Sequence, residues 1–412
     1  MVGPVDAFPW LSTSPTCQRQ WPSLYQAVEE GQIDRTWLRA YLAGLVRGEG
    51  VCHWALDCTS WLRTHGRTLP NRQYVYRPTP LASRGTVDIG YSYSLLEWVP
   101  AADQSWTLNV DQVRVPSSQT EWEVGIEQVR RLSAARQDHP AGLDIVTADA
   151  KYGNHKFLYP LRDQGCGLVV ALRRDRVLYR APRAADQARM GRRRKHGARF
   201  AFKDPRTWGE PDETQAWDDA RWGQVELRRW NGLHERATAD APIDIIQARI
   251  RLERAQPPAP QWLVWQAPSH LPAETVITAE VIWRAYTYRW PIEPSIRFRK
   301  QQLMWTTPQF HTPETGDCWS LLVSLAMWQL FLARAVVTDQ PRPWQKPQSQ
   351  LTPARVQQGW AALFCTLEPL VPAPQTRGKS PGWPKGRPRK RRDRHRVVRK
   401  TPKPVQSCAT AA

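Results

Sequence analysis

The sequence has no C-x-x-C pair, no histidine cluster and no internal repeat. Its seven cysteines (Cys17, Cys52, Cys58, Cys166, Cys318, Cys365 and Cys408) are scattered. That spacing argues against a zinc knuckle and against a disulfide framework, and fits reduced thiols. The opening stretch "MVGPVDAFPWLSTSP" lacks a basic region followed by a long apolar core, so no secretory signal is expected there. The most apolar run, "CWSLLVSLAMWQLFLARAVV" (318–337), is interrupted by two serines, Gln329 and Arg334, and reads as a buried helix and not as a membrane span. Together these absences favour a cytoplasmic protein with no membrane partner.

Acidic residues are also scarce. Asp and Glu number 38 against 58 Lys and Arg, for a net charge of +20. Between Arg377 and Pro404 there are 13 Lys/Arg and one acid, Asp393, so this tail carries +12 and the rest of the chain about +8. A basic body with a more basic tail favours a polyanionic partner, because such a surface holds a phosphate backbone without reading its sequence. Tryptophan, by contrast, is abundant at 22 residues, enough to pack a core and leave some to stack on bases.

The pattern along the chain is α/β. Residues 1–50 hold one small helical region with a break near Gly31. "VCHWALDCT" reads as a strand ending on Asp57, and "IGYSYSLLEWVP" and "SWTLNVDQVRVP" as two more strands. "TEWEVGIEQVRRLSAARQ" is an amphipathic helix, "LDIVTAD" a short strand ending on Asp149, "KFLYPLRDQG" a helix and "CGLVVALR" a strand. That order implies a mixed sheet flanked by helices over 51–174. An Arg- and Trp-rich, weakly periodic segment, 175–260, is expected to be a β-rich insertion; 261–340 resumes the layout, and 341–412 is a Pro/Gln-rich linker with one short helix and a disordered basic tail.

Three acids stand out. Asp57 and Asp149 lie at strand ends, and Glu293 lies in "YTYRWPIEPSIRFRK" (286–300). On one continuous helix, Tyr286, Arg289, Glu293, Arg297 and Lys300 would share an arc of about 80°. Cations around one carboxylate keep it ionised and offer phosphate contacts beside it. Carboxylates converging from neighbouring strands and a helix can hold two divalent cations about 4 Å apart, and oxygen donors suit Mg²⁺. Asp88, Asp111 and Asp144 are weaker candidates, lying within or at the start of strands. Pro291 and Pro294 flank Glu293, so a helix should stop near Arg289 and another start near Pro291, leaving Glu293 in a first turn.

The spacing Tyr286-x2-Arg289-x3-Glu293-x6-Lys300 resembles the Y-R-E-K signature of bacterial insertion-sequence DDE transposases, "DCT" resembles that class's first-Asp motif, and "DAKYGN" its second. The resemblance spans roughly residues 50–340 and implies a ribonuclease-H-like fold with a β-rich insertion before the Glu-bearing helix. It implies Asp57, Asp149 and Glu293 as catalytic, metal-binding residues for Mg²⁺, with Mn²⁺ as a substitute. Tyr286, Arg289, Arg297 and Lys300 would contact DNA phosphates, and Trp290 and Trp262 would stack on bases. Implied partners are double-stranded DNA and a second copy of the chain, in a bacterial, nucleoid-associated setting. The implied reaction is cut-and-paste transposition. A transposase-derived DNA-binding protein without catalysis, and a structure-specific nuclease on the same fold, remain open beside it.

Overall fold

A computed structural model describes residues 21–46, 50–81, 85–137, 142–183, 193–251, 258–271, 275–365, 382, 384–388 and 391–400. The opening fifteen residues and much of the basic tail lie outside them. Two helices come first, α1 (Trp21–Glu30) and α2 (Arg35–Leu45), separated at Gly31 as the sequence suggests. Asp34 caps α2 by accepting from the amides of Thr36 and Trp37.

A mixed sheet of ten strands follows, flanked by helices. Its first strands are β1 (Val51–Leu62), β2 (Gln73–Leu81), β3 (Gly85–Val99), β4 (Leu108–Arg114), β5 (Leu143–Ala148) and β6 (Gly167–Leu172). The long β3 pairs antiparallel with β1 along one edge and with β2 and then β4 along the other. β1 pairs parallel with β5, and β5 parallel with β6. β5 and β6 read as nearly unbroken apolar runs because strands covered on both faces have no polar side to present.

On one face lies α3 (Glu121–Ala135), opened by a capping box between Thr120 and Glu123. Gly125 lets α3 approach closely: a Cβ there would meet Leu56, Tyr152 and Phe157 at 3.0–3.3 Å. The short helix α4 (His155–Leu158) follows β5.

The stretch expected to be an insertion is bonded into the same sheet. Only β7 (Val177–Tyr179) and β8 (Arg199–Ala201) form a separate two-stranded sheet. β9 (Glu213–Asp219), β10 (Gly223–Leu233), β11 (Ile243–Arg251) and β12 (Gln261–Gln266) extend the main sheet in the order β6-β12-β11-β10-β9. The boundary drawn at 260/261 therefore falls between hydrogen-bonded strands.

The helices that close the fold are α5 (Ala279–Thr287), α6 (Ile292–Gln301), α7 (Pro313–Ala333) and α8 (Pro353–Cys365). α7 is long and apolar enough to cross a membrane by length and composition, but most of it is buried in this fold. Its polar residues face inward to partners: Asp317 to Arg114 and Tyr93, Ser324 to Gln112, and Trp328 to the carbonyl of Asn109. The tail also departs from expectation. Residues 391–400 lie against the body, with a parallel bridge between Val398 and Gln73 of β2.

Candidate active site

Asp57 does not end its strand; β1 runs on to Leu62 because Cys58–Leu62 keep pairing with β3. The parallel neighbour β5 does stop there. The last registered pair is Leu56 with Ala148, so Asp57 and Asp149 are the next residue on each strand. Parallel pairing thus brings two carboxylates, 92 positions apart in sequence, to one level of the sheet.

The residues that follow each acid tie the two segments together. The Tyr152 hydroxyl and the Cys58 thiol lie 3.2 Å apart, and Tyr152 is fully buried. Burial pushes the Cys58 thiol up to about 12, so it is a neutral packing group and not a nucleophile. The aromatic three residues after Asp149 is therefore a strut to β1. Gly153 completes the turn, since a Cβ there would stand 2.3 Å from the carbonyl oxygen of Ala171.

Proline divides the signature stretch as expected. α5 ends at Thr287, Pro291 caps α6, and Glu293 sits in the first turn of α6. The five-residue stripe is therefore divided by the helix break, yet two of its members reach the same strand. Arg289 donates to Asp57 Oδ2 at 2.6 Å. Lys300 donates to Thr59 Oγ1 at 2.6 Å and to the Ser60 carbonyl at 2.8 Å. Tyr286 is half-buried, its hydroxyl pushed up by burial and within electrostatic range of Arg289, Asp149 and Asp57. Arg297 and Glu293 are exposed on α6.

Charge explains the cluster. Burial raises the Asp57 carboxyl, Arg289 opposes that rise, and Asp149 adds to it. Arg289 in turn is held protonated against burial by Asp57, Tyr286, Asp149 and Glu293. One guanidinium thus lies within electrostatic range of all three candidate acids. Burial and the neighbouring Arg299 lower the Lys300 ammonium to about 8.

Two oxygen donors at one level suit a hard divalent cation. Their mutual repulsion shows a place where positive charge is wanted, and in this structure Arg289 supplies it. Among the described residues, no three His, Cys, Asp or Glu side chains converge closely enough to hold a metal. The donor set therefore fits a cation through Asp57 and Asp149, with Glu293 standing apart from them.

The other acids named from sequence are structural. Asp144 accepts from Trp54 Nε1 and Arg136, Asp111 from Arg39 and Arg131, and Asp88 from Thr64 and Arg77. The two tryptophans part company. Trp290 is 52% exposed, with the Arg221 guanidinium 6.0 Å from its ring centre. Trp262 is only 3% exposed and stacks on Phe202 at 4.1 Å, within a cluster that includes Trp208 and Trp230. It offers no face to a base, because β12 is covered on both sides; it is a core residue. Lys151, paired with Glu121 and within range of Asp149 and Cys58, escaped the sequence reading although it stands two residues from Asp149. Arg221 escaped it as well; only its place in a β9–β10 hairpin gives it a role.

The family model for the DDE superfamily endonuclease matches residues 11–235, more than half of the chain and inclusive of Asp57 and Asp149. The chain belongs to the DDE superfamily endonucleases. Enzymes of this family are generally dependent on divalent metal ions. The matched region ends before α5 and α6, so Glu293 stands outside it. No curated relative matches the chain. Among solved structures it is similar to a piggyBac transposase synaptic complex with hairpin DNA, at 10% identity and a TM-score of 0.34, covering 83% of this chain. The chain spans 58% of that structure's length.

Proposed function

We propose that this endonuclease is a DNA transposase that cuts DNA at the ends of its own mobile element and joins them to a target. The observation that carries this reading is the side-by-side placement of Asp57 and Asp149, with Arg289 bonded to Asp57 and within electrostatic range of Glu293. The strand order β4-β3-β1-β5-β6, with β1, β5 and β6 parallel, supports the ribonuclease-H-like reading. A divalent cation held by Asp57 and Asp149, with Glu293 joining them on DNA, would supply Lewis-acid activation of water and of the departing oxygen.

The chain's own residues do the rest. Lys300 and Arg289 hold phosphate oxygens beside Asp57, Tyr286 and Arg297 extend that grip, and Trp290 presents a face for an unstacked base. In the cut, water adds to phosphorus, the bond to the 3′ oxygen breaks, and that oxygen takes up a proton, leaving a 3′-hydroxyl and a 5′-phosphate. The 3′-hydroxyl oxygen then adds to a phosphorus of the target strand and loses its proton, the target's own bond from phosphorus to the 3′ oxygen breaks, and that departing oxygen takes up a proton. Two ends joined together call for two copies of the chain. The setting we propose is the bacterial nucleoid, with Mg²⁺ as the working ion.

One observation favours a second reading. Arg289 already occupies Asp57, and no three-ligand cluster forms among the described residues, as a DNA-binding relic without catalysis would have it. Cleavage of duplexes carrying the gene's flanking ends separates the two. With Mg²⁺, the wild type should nick at the ends, and Asp57→Asn and Glu293→Gln should each abolish nicking. End binding without any nicking would favour the relic.

A further inference from the structure

The basic tail is not simply a loose extension. Between Arg391 and Lys400 the chain lies along the β1–β2 loop and meets the first residues of β2, Gln73 and Tyr74. The amide of His395 donates to the carbonyl of Arg67 at 2.9 Å, and that of Val398 to the carbonyl of Arg72 at 2.7 Å. Arg72, 3% exposed, returns a bond from its guanidinium to the carbonyl of His395 at 3.2 Å. The same guanidinium donates to the carbonyls of Arg63, Thr64 and Leu69, so one buried cation gathers the β1–β2 loop and the tail.

The side chains divide by polarity. Val397 and Val398 are half-buried against the body, while Arg391, Arg392, Arg394, Arg396, Arg399 and Lys400 are exposed, with Asp393 the single acid among them. Arg392 reaches His311, Arg399 lies 5.7 Å from the centre of the Tyr74 ring, and Lys400 donates to the Gln119 carbonyl at 2.5 Å. Gln119 immediately precedes α3, and the Lys400 ammonium is in electrostatic range of Glu121, Cys58 and Lys151, neighbours of Asp57 and Asp149.

Six like charges laid on a body that is itself basic repel one another and it. Backbone hydrogen bonds and two valines hold them there, and a polyanion laid over them would relieve the repulsion. We infer that residues 391–400 form a fixed, sequence-independent track for the DNA backbone, running from the β1–β2 loop to the catalytic acids and gripping the duplex flanking the cut. The choice of DNA as the polyanion rests on the proposed function; the track itself rests on the docking bonds and exposed cations.

The test is binding of the full chain to a labelled duplex of arbitrary sequence over a salt series, which needs no cleavage and no element ends. Each phosphate contact contributes about 0.9 to the slope of log affinity on log salt. Replacing Arg391, Arg392, Arg394 and Arg396 by Gln leaves every backbone docking bond in place, gives up only the Arg392–His311 contact, and should lower the slope by roughly 3 to 4. Val398→Pro keeps every cation but removes the amide given to Arg72, and should lower the slope by roughly 2 or more. His395→Pro removes the other amide and serves if Val398→Pro fails to fold.

An unchanged slope in the glutamine variant overturns the track. A reduced slope there with a wild-type slope in both proline variants overturns the docking, since the cations would then act from a loose tail. Failure to cut element ends, with these slopes as expected, would count against the transposase reading and leave the track standing.

Discussion

Arg289 Nη2 lies 2.6 Å from Asp57 Oδ2, so the position a divalent cation would take on that oxygen is held by a guanidinium. In the proposed mechanism Arg289 and a metal would compete for one oxygen until DNA offered Arg289 a phosphate instead. Arg289→Gln should therefore bind Mn²⁺ several-fold more tightly than wild type when DNA is absent, read by calorimetric titration, while cutting DNA far more slowly. Weaker Mn²⁺ binding in the variant would mean that Arg289 positions Asp57 for the metal and does not compete with it.

Lys300 gives a pH signature. Its ammonium is lowered from 10.5 to about 8, so it is charged below that value and progressively neutral above it. Between about 8 and 10.5 the unfolded chain binds the extra proton, so this group's cost to stability is full below 8 and fades as pH rises toward 10.5. The phosphate grip proposed for it would run the other way, falling as the charge is lost, at a pH displaced upward by a bound phosphate. Duplex affinity at constant ionic strength should drop about tenfold from pH 7.5 to 9.5 in excess of the drop in Lys300→Arg, which stays charged. Parallel curves for the two proteins would remove Lys300 from the interface.

The helix that carries Glu293 is pinned by a buried ion pair. Arg299, 1% exposed, donates to Glu97, which is wholly buried and also accepts from Thr107. Removing one partner leaves the other charge uncompensated, so Arg299→Ala should cost about 3–5 kcal/mol in a denaturant melt. Glu97→Gln with Arg299→Met should recover a good part of that loss. A loss under 1 kcal/mol for the single change would show that water reaches the pair.

Trp262 and Trp290 should behave as opposites. Trp262→Ala empties the centre of an aromatic cluster and should destabilise by about 3–5 kcal/mol. Trp290→Ala should leave the melt within about 0.5 kcal/mol and weaken binding to a duplex with an unpaired base near the cut. An equal effect of both on stability would place Trp290 in the core with its neighbour.

The strands near the acids were legible because β5 and β6 are nearly unbroken apolar runs and β3 and β4 are rich in β-branched and aromatic residues. The break at Gly31 and the helix restart at Pro291 were legible because glycine and proline act locally. What hid was what depends on partners distant in sequence. "CTSWL" after Asp57 carries no strand alternation; pairing with β3 makes it one. Arg299 carries no local mark of burial; its partner Glu97 comes from β3, 202 residues earlier. Trp262 was named for stacking on a base, but both faces of β12 are covered. Of the site, Asp57, Asp149, Arg289 and Lys300 could be named in advance, while Lys151, Glu121 and Arg221 needed the packing of α3 and the β9–β10 hairpin.

The strands from β6 through β12, β11 and β10 to β9 form one hydrogen-bonded ladder with a single register shift between Trp230 and Leu233, and Arg221 at its far hairpin reaches back to Trp290 beside Glu293. A ladder of this kind behaves as a ruler and not as a hinge. If DNA rests on that hairpin in the transposase proposed above, its distance from Asp57 would be set by the width of the sheet.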